Sequence, residues 1–292
     1  MSKTILFGGS GFLGNVFLRE HPEIISVGRS KPHGDLSNKH IYINMDKLES
    51  LDSLEFDNVI FLVGNSDHHT LNESCMKGIE HNVIPLKKIL HYLKGRRINK
   101  FVCFSSILLY GNNSKDRPVN EKDDIFPYQN EYIFSKYMAE QVCKFYEIDV
   151  PIINVRLCNI YGDTTLLRPD LVPTLIHNTI TSKELSVWNK SPVRDFIFTS
   201  DAADAILKLL NTSFEGTINI GSGSSYSVGD ITKIIEDLSG KKIKDQNKKV
   251  SGVMKFKTDI SLLEELIEWR PSHSLKEGLT KTYKKMEENI LT

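Results

Sequence analysis

Tyr132 and Lys136 stand four residues apart in Tyr132-Ile-Phe-Ser-Lys136. On a helix, positions i and i+4 share a face, so this spacing sets a phenol beside an ammonium. The ammonium favours the phenolate and lowers the tyrosine pKa. Such a tyrosine can move a proton to or from an alcohol oxygen near neutral pH. Ser106 adds a hydroxyl. It closes the run Lys100-Phe-Val-Cys-Phe-Ser-Ser106, which reads as a buried strand. A hydroxyl at the C-terminal end of such a strand faces the ligand crevice of an open α/β sheet. Alone, Tyr-x-x-x-Lys is the pattern of any solvated helix face. What sets this one apart is its order in the chain, after the Ser-Ser strand end and after a glycine-rich turn at the start.

That turn is Gly8-Gly-Ser-Gly11-Phe-Leu-Gly14, directly after the apolar Ile5-Leu-Phe7. Glycine tolerates positive φ and lets backbone approach a phosphate closely. A strand leading through such a turn into a helix places a pyrophosphate on the helix N-terminus, where unpaired N–H groups and the dipole favour negative charge. The other reading is an ordinary tight strand–helix turn.

The elements that must carry these residues follow from periodicity. Glu131 to Tyr146 holds no Gly or Pro and has apolar residues at 133, 134, 137, 138, 142 and 145, which predicts a helix. The first half alternates short apolar runs with helical patterns, as βαβ units do. Strands are expected at 3–7, 24–28, 41–44, 58–63, 100–105, 151–157 and 216–220, and helices at 12–20, 74–94 and 131–146. Pro85 predicts a kink or restart in the second helix. Residues 112–129 read as an exposed loop. The lysine-rich stretch 241–249 reads as a mobile solvated loop rather than an anion site. The expected fold is α/β: a Rossmann-type doubly wound parallel sheet with a smaller C-terminal substrate-binding α/β part. The expected division is residues 1–162 with 196–221 for dinucleotide binding, against 163–195 and 222–292 for substrate.

In this ordered set the chain resembles the extended short-chain dehydrogenase/reductase family, in its sugar-nucleotide epimerase/dehydratase branch. Gly8 to Gly14, with Phe12 and Leu13, resembles the cofactor turn of that family. Ser105-Ser-Ile-Leu-Leu-Tyr-Gly111 resembles its Ser-Ser-x-x-x-Tyr-Gly segment, whose second serine is catalytic. The resemblance implies that Asn159, in Arg156-Leu-Cys-Asn-Ile-Tyr-Gly162, and Arg194, in Arg194-Asp-Phe196, meet the substrate phosphates. It implies that Trp188 lines the base pocket, a core tryptophan being the other reading. It places Asp46 beside the adenine, and Asn82 near the site or on a helix surface. Asn219-Ile-Gly-Ser-Gly223 and Trp269-Arg-Pro271 match weaker C-terminal markers. Val63-Gly64-Asn65 departs from the family's His-Leu-Ala-Ala strand end; Gly64 lets backbone come near the cofactor.

The second strand is followed by Gly28-Arg29-Ser30-Lys31. A carboxylate there suits a ribose 2′-hydroxyl, and an arginine suits a 2′-phosphate. Arg29 and Ser30 therefore favour NADP(H), with NAD(H) also possible. Dehydratase relatives carry an Asp-Glu pair after the catalytic serine, and GDP-fucose-synthase-like relatives carry a cysteine. Ile107 and Leu108 stand here and transfer no proton. The expectation is an NADPH-dependent reductase of a nucleotide-linked 4-keto sugar, with Tyr132 as proton donor. A 4-epimerase is the alternative, and a catalytically silent NADP(H)-sensing protein the less favoured third.

The 37 Lys+Arg balance 37 Asp+Glu in 292 residues, which argues against general nucleic-acid or anionic-membrane binding. Cys75, Cys103, Cys143 and Cys158 are scattered and suggest neither zinc nor a disulfide framework. No signal-peptide pattern and no run of membrane-spanning length is present, so a reducing cytoplasm is expected. The helices at 74–94 and 131–146 are expected to pair with their twins in a homodimer.

Overall fold

The computed structural model describes residues 2–32, 40–67, 70–71, 74–111, 117–162, 169–182, 185–250 and 253–291, without the side chain of Cys75. Parts of the expected 112–129 loop and 163–195 segment lie outside these residues.

The chain forms two compact units. The first comprises residues 1–109, 125–157 and 206–218. Its sheet is built from β1 (Thr4–Phe7), β2 (Ile25–Gly28), β3 (His40–Tyr42), β4 (Asn58–Phe61), β5 (Lys100–Ser106), β6 (Ile152–Leu157) and β11 (Gly216–Ile220). The spatial order is β11-β6-β5-β4-β1-β2-β3. The five pairings from β6 to β3 are parallel. This is the strand order of a doubly wound nucleotide-binding sheet, with its switch point between β1 and β4. β1, β4 and β5 are almost continuously apolar because both faces are covered. Ile5, Phe7, Val59, Phe61 and Phe101 lie in one buried cluster with Leu86, Ile89 and Leu90.

Helix α1 (Phe12–Glu20) follows β1. The second helical stretch starts as α2 (Cys75–Gly78), passes through a π turn at Ile79–Val83, and continues as α3 (Ile84–Leu93). The sequence predicts a kink or restart at Pro85, and the α-helix does restart at Ile84 with the proline in its first turn, after the widened π turn. A proline donates no N–H and its ring crowds the carbonyl four residues back, and a π turn relieves both. α4 (Glu131–Tyr146) starts at Asn130, whose side chain accepts from the Ile133 amide at 2.9 Å.

The second unit comprises residues 110–124, 158–205 and 219–292. It holds α5 (Leu171–Thr181), α7 (Val228–Ser239), α8 (Ser261–Ile267) and α9 (Leu275–Leu291). Helix α6 (Thr199–Leu209) begins in this unit and ends in the first. Short strand pairs join β7 (Asn159–Tyr161) to β10 (Phe196–Phe198), β9 (Val193–Arg194) to β12 (Tyr226–Ser227), and β8 (Ser186–Val187) to β13 (Lys244–Asp245). Its core gathers Tyr161, Ile176, Phe198, Ile231 and Leu279. The β7–β10 pairing draws 158–162 and 196–205 into this unit. A Val119–Thr258 bridge and a Tyr110 hydroxyl bond to Asn219 at 2.7 Å hold 110–124 there.

The lysine-rich stretch is mostly exposed coil, as expected, but it is pinned at two points. β13 pairs in parallel with β8, and the Lys241 ammonium donates to the Thr179 carbonyl at 2.6 Å. No helix among the described residues is long and apolar enough to cross a membrane, and no group of three metal-ligating side chains gathers among them.

Candidate active site

The glycine turn leaves the C-terminal end of β1. Gly8 has φ +88°, and a Cβ there would lie 3.0 Å from the carbonyl carbon of Leu62, just beyond β4. A Cβ on Gly14 would collide with the Gly8 carbonyl oxygen, so only glycine lets α1 close against the turn. The Gly11 amide donates to the Gly8 carbonyl at 3.0 Å. The Asn15 amide donates to the carbonyls of Gly9 and Gly11 at 3.2 and 3.0 Å. Asn15 escapes sequence reading because no spacing rule marks a side chain that returns to its own turn.

Helix α1 begins at exposed Gly11 with no side-chain cap, the kind of helix start whose dipole suits an anion. Phe12 and Leu13 are buried, so their side chains belong to the core and any contact they make with a cofactor is through backbone. Arg29 and Ser30 are exposed just past β2. The Asp46 carboxylate is exposed and paired with Lys88; the hydrogen bond and charge of the lysine lower its pKa. The close glycine backbone, the uncapped helix start and the exposed Arg29 and Ser30 fit a dinucleotide.

The proton-transfer set stands in the same unit. Ser106 ends β5, and its hydroxyl accepts from the Leu108 amide at 3.2 Å. Tyr132 is buried with Leu71, Leu109 and Ile133. The Lys136 ammonium donates to the Phe104 carbonyl at 3.0 Å and lies 5.8 Å from the centre of the Tyr132 ring. Val63 packs partly buried against the core and Gly64 is exposed. A Cβ on Gly64 would come within 2.7 Å of Asn82 Oδ1 and 3.9 Å of Lys136 Nζ.

Asn82 is buried, not on the helix surface. Its Oδ1 accepts from the Asn65 amide at 2.7 Å, and its Nδ2 donates to the Asn65 carbonyl and to Ser135 Oγ at 3.0 and 2.8 Å. Ser135 Oγ donates to the Tyr132 carbonyl at 2.7 Å. The loop after β4 is thereby tied to the helix that bears Tyr132 and Lys136. The π turn presents Asn82 to both partners.

The remaining expected site residues lie in the second unit. Asn159 Nδ2 donates to the Asp195 carbonyl at 3.0 Å. Arg194 is half-buried, donates to the Val193 carbonyl at 2.9 Å, and has its pKa lowered by burial. Trp188 is 65% exposed, which removes the core reading; Trp269, at 3%, is the core tryptophan. Lys248 sits over the Trp188 ring at 5.9 Å. Asp195 is fully buried and was missed by sequence reading, its position beside Arg194 giving no sign of burial. It accepts from Ser222 Oγ at 2.6 Å and the Ser222 amide at 2.9 Å. Burial pushes its carboxyl up while those bonds pull it down, with burial prevailing.

Comparison with known proteins places these features. The family model "NAD dependent epimerase/dehydratase family" matches residues 4–221. An uncharacterized UDP-glucose epimerase, YtcB, of Bacillus subtilis (strain 168) is 30% identical over 208 residues, 68% of this chain and 64% of that protein. This chain thus aligns with just under two thirds of that relative's length. A UDP-N-acetyl-alpha-D-glucosaminuronate decarboxylase of Bacillus cytotoxicus is 27% identical over 96% of each chain. The crystal structure of a Thermotoga maritima UDP-glucose 4-epimerase with UDP-glucose superposes with a TM-score of 0.88, 21% identity and 99% of each chain covered. That last likeness is one of fold. The chain belongs to the NAD dependent epimerase/dehydratase family, a family of enzymes acting on nucleotide-linked sugars.

Proposed function

We propose that this protein is a nicotinamide-dependent 4-epimerase of a nucleotide-linked hexose. The observation that carries the reading is the set of Ser106, at the C-terminal end of the interior strand β5, with Tyr132 and Lys136 on α4, and no proton-transferring side chain at the two positions directly after Ser106. Ile107 is turned into the core at 2% exposure, and Leu108 is aliphatic. An acid–base pair for loss of water is therefore lacking at the two positions after Ser106, while Ser106, Tyr132 and Lys136 suffice for reversible proton transfer at one carbinol. The likeness to UDP-sugar epimerases favours this over the reductase expected from sequence.

In this reading Tyr132 takes the proton of the sugar hydroxyl and returns it. Ser106 hydrogen-bonds the same oxygen. Lys136, fixed by the Phe104 carbonyl, keeps the phenol acidic and holds ribose hydroxyls. Gly8, Gly11 and Gly14 with the α1 N-terminus hold the pyrophosphate, and the backbone at Phe12, Leu13, Val63 and Gly64 lines the cofactor. A nicotinamide, when bound, supplies a reversible hydride acceptor at the sugar carbon. Asn159 and Arg194 hold the nucleotide diphosphate, arginine's forked donors suiting phosphate, and Trp188 stacks on the base. The second unit is the substrate-binding part.

A reductase remains a second reading because exposed Arg29 stands where a carboxylate would favour NAD. A homodimer through α3 and α4 belongs to the same proposal, supported by exposed Ile84 and Phe145 on those helices. The deciding experiment incubates purified protein with UDP-glucose and follows the anomeric and H4 proton signals. Formation of UDP-galactose without net cofactor consumption supports the epimerase. Steady NADPH consumption with a 4-keto sugar nucleotide, and no C4 inversion in any nucleotide sugar tested, overturns it.

A further inference from the structure

The two elements that carry the proton-transfer set are also joined by sulfur. Cys103 lies on β5, three residues before Ser106. Cys143 lies on α4, two helical turns after Lys136 and on the same face. Their Sγ atoms approach to 3.1 Å, both as free thiols. Cys103 Sγ also meets Asn154 Oδ1 at 3.4 Å and the Ile153 carbonyl at 3.7 Å. Nothing in the sequence marks this pair, which is separated by 40 residues.

Burial would make such a pair inert if nothing reached it. Here a cleft of about 600 Å³ is lined by Cys143 and Asn154 and rimmed by the exposed Gln141, Lys144 and Glu147. Cys143 is the sulfur that a small molecule in this cleft meets first, with Cys103 behind it.

From this arrangement we infer that Cys103 and Cys143 form an oxidisable dithiol, a modification site that closes to a disulfide under a peroxide. The Cys143 sulfur attacks one peroxide oxygen, the O–O bond breaks, and a sulfenic acid and water form. Cys103 then displaces the sulfenic hydroxyl as a second water. Two thiols and one hydrogen peroxide thus give one disulfide and two waters. The hydrogen bond with Cys103 and burial push the Cys143 thiol up, so the reaction is slow and quickens at alkaline pH. Bonding draws the sulfurs from 3.1 Å to about 2.05 Å. That pulls α4, with Tyr132 and Lys136, against the strand that ends in Ser106. A displacement of ~1 Å in such a set costs about 10²-fold in rate.

The site itself is tested without any assumption about activity. The full-length protein is treated with hydrogen peroxide at alkaline pH, alkylated, digested without reductant and mapped by mass spectrometry. A Cys103–Cys143 cross-linked peptide, absent in Cys143→Ser and in Cys103→Ala, with Cys158 still alkylated, is the expected result. Cys103 and Cys143 both alkylated, or both recovered as sulfonic acids, overturns the site. The regulatory consequence rests on the proposed function and is read separately. On oxidation NADH affinity should weaken and C4 inversion should fall about 10²-fold, both returning with dithiothreitol, with Cys143→Ser refractory. A mapped disulfide that leaves both unchanged overturns the switch while the epimerase reading stands.

Discussion

The Lys136 ammonium donates to the main-chain carbonyl of Phe104 at 3.0 Å, two residues before Ser106. One bond thus fixes the helix that carries Tyr132 against the strand that presents the serine. It also sets the charge beside the tyrosine ring. The distance from Nζ to the ring centre, 5.8 Å, places Lys136 to act on the phenol through space.

Tyr132→Phe keeps the ring's packing against Leu71 and Leu109 and removes the hydroxyl. Turnover should fall by about 10²–10⁴-fold, the usual worth of a general acid–base group, while dinucleotide affinity changes little. Lys136→Met should reduce both. Steady-state kinetics with cofactor titration on the two variants checks this, and near-wild-type turnover in Tyr132→Phe would remove the assignment.

Arg29→Asp tests cofactor choice. If the exposed guanidinium receives a 2′-phosphate, the wild type binds NADPH more tightly than NADH and the variant narrows or inverts that preference. Fluorescence titration of both cofactors on both proteins measures it. A wild type that binds NADH at least as well as NADPH would leave Arg29 as an ordinary surface residue.

Gly14→Ala places a methyl against the Gly8 carbonyl oxygen. Overpacking of this kind costs typically about 1–3 kcal/mol. The strain falls on the turn that receives the pyrophosphate. Denaturant unfolding should show the loss, and dinucleotide binding should weaken more than stability alone explains.

Arg156 and Glu140 form a buried forked pair, with bonds of 2.9 and 2.8 Å and both side chains below a tenth exposed. The pair joins β6 to α4. Removing one partner of such a pair costs about 3–5 kcal/mol because the other charge stays buried. Arg156→Met should therefore lower the denaturant midpoint strongly. Replacing both members with apolar residues should recover much of the loss.

Light scattering at micromolar concentration checks the proposed dimer, and a mass of one chain would refute it. Introducing a charge at Phe145, which is 73% exposed on α4, should shift the equilibrium towards monomer if that helix lies in the interface.

By itself the sequence determined the strand–turn–helix at Gly8–Gly14, the buried β5 ending in Ser106, and the helix placing Tyr132 and Lys136 on one face. These depend on local rules: glycine conformational freedom, period-two and period-3.6 apolar patterning, and i to i+4 spacing. Helix 131–146 starts where expected because Asn130 caps it locally. What only the tertiary structure decided lies in contacts between residues far apart in the chain. Asn82 became a clasp because a π turn aimed it at Asn65 and Ser135, 17 and 53 residues away. Phe12 and Leu13 sank into the core because the helix, not the motif, sets which way side chains point. Lys244 was ordered by a strand pairing with Ser186 that no local pattern announces. Cys103 met Cys143 only when α4 lay down on β5, a meeting decided by packing and written in no motif.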